Sequence, residues 1–232
     1  MGAIQQILLV AGEVDLYAGS VLALLHLNDA DGTATPANSL GSATITNDGS
    51  ASAPTTNAVK SASAKFGAGG WLSAGGSTGL KVSKTTSASN PYTIEFFVKP
   101  VTLGAFGRFM AVATVSGGNA FALACGGGSV SYVDNTGTNQ ATTGTMSTGT
   151  WYHIAISYDG TTVVVYQDGT SIYSSSVYDS GLSSSNVSIG LGCSVGMGGA
   201  DGTASFDEIR WTHGINRYTS AFTAPTTEFP DR

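Results

Sequence analysis

Carboxylates have the most chemistry to offer in this chain, and their spacing decides which reactions are open. A glycoside hydrolase needs two of them facing one another, about 5–5.5 Å apart in a retaining enzyme. Glu95 is followed by Phe96-Phe97-Val98-Lys99, so no second acid shares its strand face. Asp207 and Glu208 are adjacent and point to opposite faces of a strand. Glu13-Val14-Asp15 has no third acid and precedes the run of strands. His26, His153 and His213 sit at strand positions without metal-ligand spacing, and there is no Ser-His-Asp signature. A hydrolase would have to be assembled from dispersed carboxylates. Catalysis is not expected, and Glu95 and His153 are expected to be satisfied structural groups.

Two other chemistries fit better. Asn28, Asp29 and Asp31 share one acidic loop and offer the hard oxygen donors that calcium takes. The plain alternative is that Asp29 and Asp31 are solvated turn residues and that Asp207 or Glu208 pairs with Arg210 or Arg217. Sugars are held by an aromatic ring face with amide and carboxylate hydrogen bonds around it. Trp71, Tyr132, Tyr178 and Trp211 are the candidate rings, with Asp134, Asn135, Asn139 and Gln140 in the segment after Tyr132. Packing in a core or on a sheet is the competing role for each ring.

Strands must position these residues. Tyr152, Ile154, Ile156 and Tyr158 share one face at period two, with Trp151, His153, Ala155 and Ser157 on the other. Asp159-Gly160 and Asp168-Gly169 supply turns, giving a three-stranded meander through Val163–Gln167 to Ser171-Ile172-Tyr173. Tyr92, Ile94, Phe96 and Val98 alternate in the same way along 92–99. About a dozen such segments separated by Gly-rich turns predict an all-β, two-sheet antiparallel jelly-roll sandwich. Ile215 to Phe222 is expected to form a short helical turn that closes the domain.

The meander, Phe206-Asp207-Glu208-Ile209-Arg210, Leu24-Leu25-His26-Leu27-Asn28, Tyr92–Pro100 and Asn216–Thr226 together resemble the laminin-G/concanavalin A-like lectin and glucanase superfamily. They are most similar to the version found in phage tail and virion proteins. The resemblance covers roughly residues 21 to 230. It implies a lectin-like sandwich and a structural Ca²⁺ between the N-terminal loop and the closing strand, which adds Asp207 to Asn28, Asp29 and Asp31. Glucanases of this superfamily carry Glu-x-Asp-x-x-Glu or Glu-x-Asp-x-Glu on one strand, and Glu95 lacks that continuation. The expected function is therefore a non-enzymatic virion component, on tail or capsid, that attaches to host-surface glycans. A decorating role without sugar binding is the alternative.

Composition sets the remaining bounds. With 41% apolar residues the chain can fill a core, although only 10% are charged. Nine Lys and Arg and a net charge of −6 argue against nucleic acid. No apolar run reaches the ~20 residues of a membrane span. Residues 1–20 read as an N-terminal arm and 21–232 as the domain. The start lacks a basic leader and is not read as a secretory signal. Ile4, Ile7, Leu8 and Leu9 are the candidate contacts to other virion proteins, in a multicopy or homo-oligomeric array. Cys125 and Cys193 are expected to be buried free thiols.

Overall fold

The computed structural model of the chain describes residues 14–47, 58–73, 79–85, 91–104, 107–114, 119–134, 136–176, 186–192 and 203–232. Ile4, Ile7, Leu8, Leu9, Asn135, Tyr178 and Cys193 lie outside them. The alternation of apolar and polar residues becomes two antiparallel sheets, as a two-sheet jelly roll requires. Among the described residues there is no α-helix, only the 3₁₀ turns Ala18–Ser20 and Ser61–Ser63.

The first sheet is built around β6 (Tyr92–Pro100) and β15 (Ala204–His213). β6 pairs on its other edge with β11 (Tyr152–Tyr158), which continues through β12 (Val163–Gln167) to β13 (Thr170–Ser175) as the expected meander. The free edge of β15 is shared. β4 (Gly70–Ser73) pairs with Ala204–Phe206 and carries β3 (Ala58–Lys60), whereas β1 (Val21–Leu25) pairs from Ile209 to Thr212. The changeover coincides with a bulge, where Glu208 sits at φ 50°. That left-handed backbone is costly for a residue with a Cβ. Glu208 N donates to Asp207 Oδ1 at 2.9 Å and its carboxylate is held on both sides, which offsets the strain.

The second sheet runs β10 (Asn139–Thr145), β9 (Ser129–Val133), β8 (Asn119–Gly126), β7 (Gly107–Thr114), β14 (Asn186–Leu191), β5 (Leu80–Thr85) and β2 (Thr44–Asn47). Between the sheets lie Tyr92, Ile94, Phe96 and Val98 from β6, Ile154 and Ile156 from β11, and Phe121, Leu123 and Tyr132 from the facing sheet. Phe121 stacks on Tyr132 at 5.6 Å and Tyr132 on Tyr173 at 4.8 Å. Each fully buried large side chain contributes about 1.5–3 kcal/mol. This core is the main source of stability.

The Asp168-Gly169 turn forms as read, with φ 49° and 80°. Asp159-Gly160 belongs to a wider turn, in which Asp159 Oδ1 accepts from Thr161 N at 2.8 Å and Thr162 N at 2.7 Å. The helical closure predicted for Ile215–Phe222 is not formed. Arg217 N donates to Thr93 Oγ1 at 2.9 Å and Phe222 N to the Gly169 carbonyl at 3.1 Å, so these amides bond the sheet rather than carbonyls one helical turn back. No helix of the described residues is long and apolar enough to cross a membrane.

Candidate functional site

Period two sends Thr93, Glu95, Phe97 and Lys99 to the face of β6 that points away from the core. Register places Ala155 and Arg210 opposite Glu95, and His153 and Asp207 opposite Phe97. Residues 14–20 and 214–232 return over this outer face and close it. Glu95 is 0% exposed. Arg210 Nε donates to its Oε1 at 2.9 Å, Tyr218 Oη to its Oε2 at 2.6 Å, and His153 Nε2 faces Oε2 at 3.3 Å. The carboxylate accepts, so Nε2 carries the proton.

Asp15 completes the cluster. Its oxygens take a bidentate pair from Arg217, at 2.9 and 2.7 Å, and Arg210 Nη1 at 3.2 Å. Residues 14–20 are therefore tied to the sandwich through a buried carboxylate. Two acids thus face two guanidinium groups. Burial alone would raise the Glu95 pKa, but Arg210, then His153 and Arg217, outweigh it and hold the carboxyl well below the usual range. Asp15 is lowered in the same way: Arg217 and then Arg210 overcome its burial. Phe229 lies 4.1 Å under the Arg210 guanidinium, and Phe222 stacks on Tyr218 at 3.7 Å. The outer face is thus filled by rings from the C-terminal segment.

A second polar knot sits at the bulge. His26 Nδ1 lies 2.9 and 3.0 Å from the two Glu208 oxygens, and Nε2 lies 2.7 Å from Asp231 Oδ1. Both ring nitrogens donate, so the ring is an imidazolium. The bond to Glu208, helped by Asp231, outweighs burial and pushes the His26 pKa up to about 9. Because the folded value is raised above 6.5, this contribution is complete below that pH and is lost as pH rises through about 9. An NMR titration of the native protein is expected to give a His26 midpoint near 9, and Asp231→Asn a lower one. A midpoint at the ordinary histidine value would break this assignment.

The calcium set is not gathered into a cage. Asn28 Oδ1 accepts from Ala68 N at 2.6 Å and its amide donates to Glu228 at 2.8 Å. Asp29 accepts from Ala37 N at 3.1 Å, Asp31 from Ser61 N at 2.6 Å, and Asp207 from Lys65 N at 2.6 Å and Phe66 N at 2.9 Å. Burial, opposed by these amide donors, pushes Asp207 up to about 7. Among the described residues no group of three or more His, Cys, Asp or Glu could hold a metal. The expected pairing of Asp207 or Glu208 with an arginine is corrected, since Arg210 and Arg217 take Glu95 and Asp15 instead.

The sugar candidates also disperse. Trp71 and Tyr132 are 0% exposed within the core, so neither offers a ring face. Trp211 is equally buried, at 1%. Asp134 is spent on its own turn, accepting from Thr136 N at 2.9 Å, Thr138 N at 3.0 Å and Gln140 Nε2 at 2.8 Å. That leaves Asn139 exposed on β10 and Gln140 half-buried. Of the three tryptophans only Trp151 keeps part of its surface in solvent. Cys125 is a buried free thiol. It lines a small, partly open pocket of about 20 Å³, room for a single water rather than a sugar ring.

A family model described as the concanavalin A-like lectin/glucanases superfamily matches residues 74–214. No curated protein matches the sequence. The fold is similar to that of the Trypanosoma rangeli sialidase in complex with the inhibitor DANA, with TM-score 0.63 and 12% identity. That match covers 83% of this chain and 30% of the sialidase, so the chain spans less than a third of that enzyme's length. Domain 4 of AbnA, an extracellular arabinanase from Geobacillus stearothermophilus solved with arabinotriose, gives TM-score 0.60 at 20% identity, over 84% of this chain and 93% of that domain. The botulinum neurotoxin type G receptor-binding domain gives 0.55 at 14%, over 86% and 48%. At these identities the shared property is the fold.

Proposed function

The chain belongs to the concanavalin A-like lectin/glucanase superfamily, and from that premise we propose that it is a non-enzymatic carbohydrate-recognition domain. The observation that carries the non-enzymatic part is the state of Glu95. It is wholly buried, its oxygens bond Arg210, Tyr218 and His153, and the C-terminal segment roofs it. A glycosidase acid must reach a glycosidic oxygen, and its partner must reach the anomeric carbon. Asp15, the other acid of the cluster, is locked by Arg217. Recognition needs less machinery, since an accessible ring and a few polar groups suffice. Two of the three solved relatives above carry sugar-directed names, which supports the reading by analogy of fold.

The narrower form of the proposal places the domain on a phage particle, in many copies on the tail or capsid, where weak single sites add up to avidity for host-surface glycans. It rests on the Asn216–Thr226 ending and on the apolar residues Ile4, Ile7, Leu8 and Leu9. Val14 and Leu16, 64% and 71% exposed, extend that apolar character onto the packed domain, as a docking root to a virion partner would. A glycan array probed with the full chain tests recognition, and binding to a defined subset of glycans is expected. No binding to any glycan would remove the lectin reading and leave decoration. Peptide mass spectrometry of purified source particles tests the placement, and absence from the particle would refute it.

A further inference from the structure

Resting on that reading, we infer that the sugar site lies on the outer face of the first sheet, beyond the edge of the C-terminal segment, and that it selects acidic saccharides. Trp151, Phe66 and Phe97 form one apolar island there. Phe66 meets Phe97 edge-on at 5.1 Å, and both Phe66 and Trp151 pack on the cluster that contains Phe97. Phe66 and Trp151 are each only partly buried, so the island has an open side.

Two lysines stand over it. Lys99 Nζ lies 4.9 Å from the Trp151 ring centre, and Lys65 Nζ lies 5.3 Å from Phe66 and 5.8 Å from Phe97. Lys99 is two residues beyond Phe97 on the same strand face, so all five side chains are contiguous. Neither ammonium has an ion-pair partner among the described residues. This stands out in a chain of net charge −6, where Arg210 and Arg217 are consumed by Glu95 and Asp15. Two acids flank the island: Asp207 is fully buried and accepts from the Lys65 and Phe66 amides at 2.6 and 2.9 Å, and Glu228 is engaged by Asn28 at 2.8 Å on the Gly67 side.

The chemistry of this arrangement is specific. An exposed cation–π contact is worth only about 0.5–1 kcal/mol, so a lysine parked on a ring exchanges it readily for a carboxylate. The freed ring then takes the apolar face of the sugar while the ammonium pairs with the acid. A uronate or a sialate carries both features on one residue. A neutral hexose offers the ring alone.

The test is an array carrying oligogalacturonate, its methyl ester, sialyllactose and lactose, probed with the full chain, with Lys65→Glu/Lys99→Glu and with Trp151→Ala. Circular dichroism checks the fold of each variant. The wild type is expected to bind one acidic member at least tenfold more tightly than its neutral counterpart, with the preference weakening in high salt. The lysine double variant should lose it, and both lysine heads lie at the surface, so this variant is expected to fold even where Trp151→Ala does not. Equal binding of acidic and neutral members, or undiminished binding by the double variant, would overturn this site while leaving sugar recognition intact. Binding to no glycan on a broad array would remove both.

Discussion

Arg210→Met is expected to lower the unfolding free energy by about 3–5 kcal/mol, because it leaves the Glu95 carboxylate buried without its principal counter-charge. Methionine fills much of the same volume and can still pack on Phe229, so the loss reports charge rather than a cavity. The remaining partners of Glu95 are weaker: His153 at 3.3 Å, the Tyr218 hydroxyl, and Arg217 Nε at 3.9 Å. The pH dependence carries the same signature. Glu95 and Asp15 are held below their unfolded values, so their stabilisation is present above the ordinary carboxylate range and is lost as pH falls towards the folded values. In Arg210→Met the Glu95 pKa rises, and acid unfolding should begin at higher pH than in the wild type. Adding Glu95→Leu should recover part of the loss, since the orphaned charge is gone. Urea unfolding from pH 3 to 8 measures all three. A cost under about 1 kcal/mol would mean that the cluster is solvated.

Gly169→Ala should cost about 2–4 kcal/mol, from a left-handed backbone and an overlap that cannot relax locally. Gly169 has φ 80°, and a Cβ there would come within 1.8 Å of the Phe222 carbonyl oxygen. The obstacle is backbone, so either the turn or residues 218–222 must move. That movement breaks the hydrogen bond from Phe222 N and shifts the ring stacked on Tyr218, which loosens the bond from Tyr218 to Glu95. Gly149→Ala is the control: φ is 74°, but nothing lies within 4 Å of the added carbon. It should show the backbone cost alone, about 1–2 kcal/mol. Thermal melts of both variants separate the two contributions, and equal losses would show that the C-terminal segment is not pinned by this turn.

These two variants also mark where sequence reasoning succeeded and where it stopped. Alternation along Tyr92–Val98 and Tyr152–Tyr158 identified both core faces, because the period of a strand is local information. The same alternation put Glu95 and His153 together on the outer face and suggested a structural role. It could not reveal that residues 214–232 fold back over that face, since nothing in Asn216–Thr226 encodes a partner 120 residues earlier. The helical expectation for Ile215–Phe222 failed for this reason, as the backbone donors there are used by Thr93 and Gly169. Trp71 is a candidate sugar platform by sequence yet is fully buried, whereas Trp151 keeps part of its surface in solvent. Which rings a distant segment covers is decided by tertiary contact. Likewise, Asn28, Asp29, Asp31 and Asp207 have the composition of a calcium site, and the sequence does not show the backbone amides of Ala68, Ala37, Ser61, Lys65 and Phe66 that donate to them. Asp15 was read as part of an arm because its partners, Arg210 and Arg217, lie at the other end of the chain.

The central claim is that this domain recognises a glycan without cleaving it. The most direct measurement is calorimetric titration of the best array ligand, followed by mass spectrometry of the ligand recovered after prolonged incubation at equilibrium. The account predicts saturable binding and an intact oligosaccharide, unchanged in Glu95→Gln provided that variant folds. Release of shortened saccharide by the wild type, abolished by a folded Glu95→Gln, would contradict it and make the buried cluster an active site that opens.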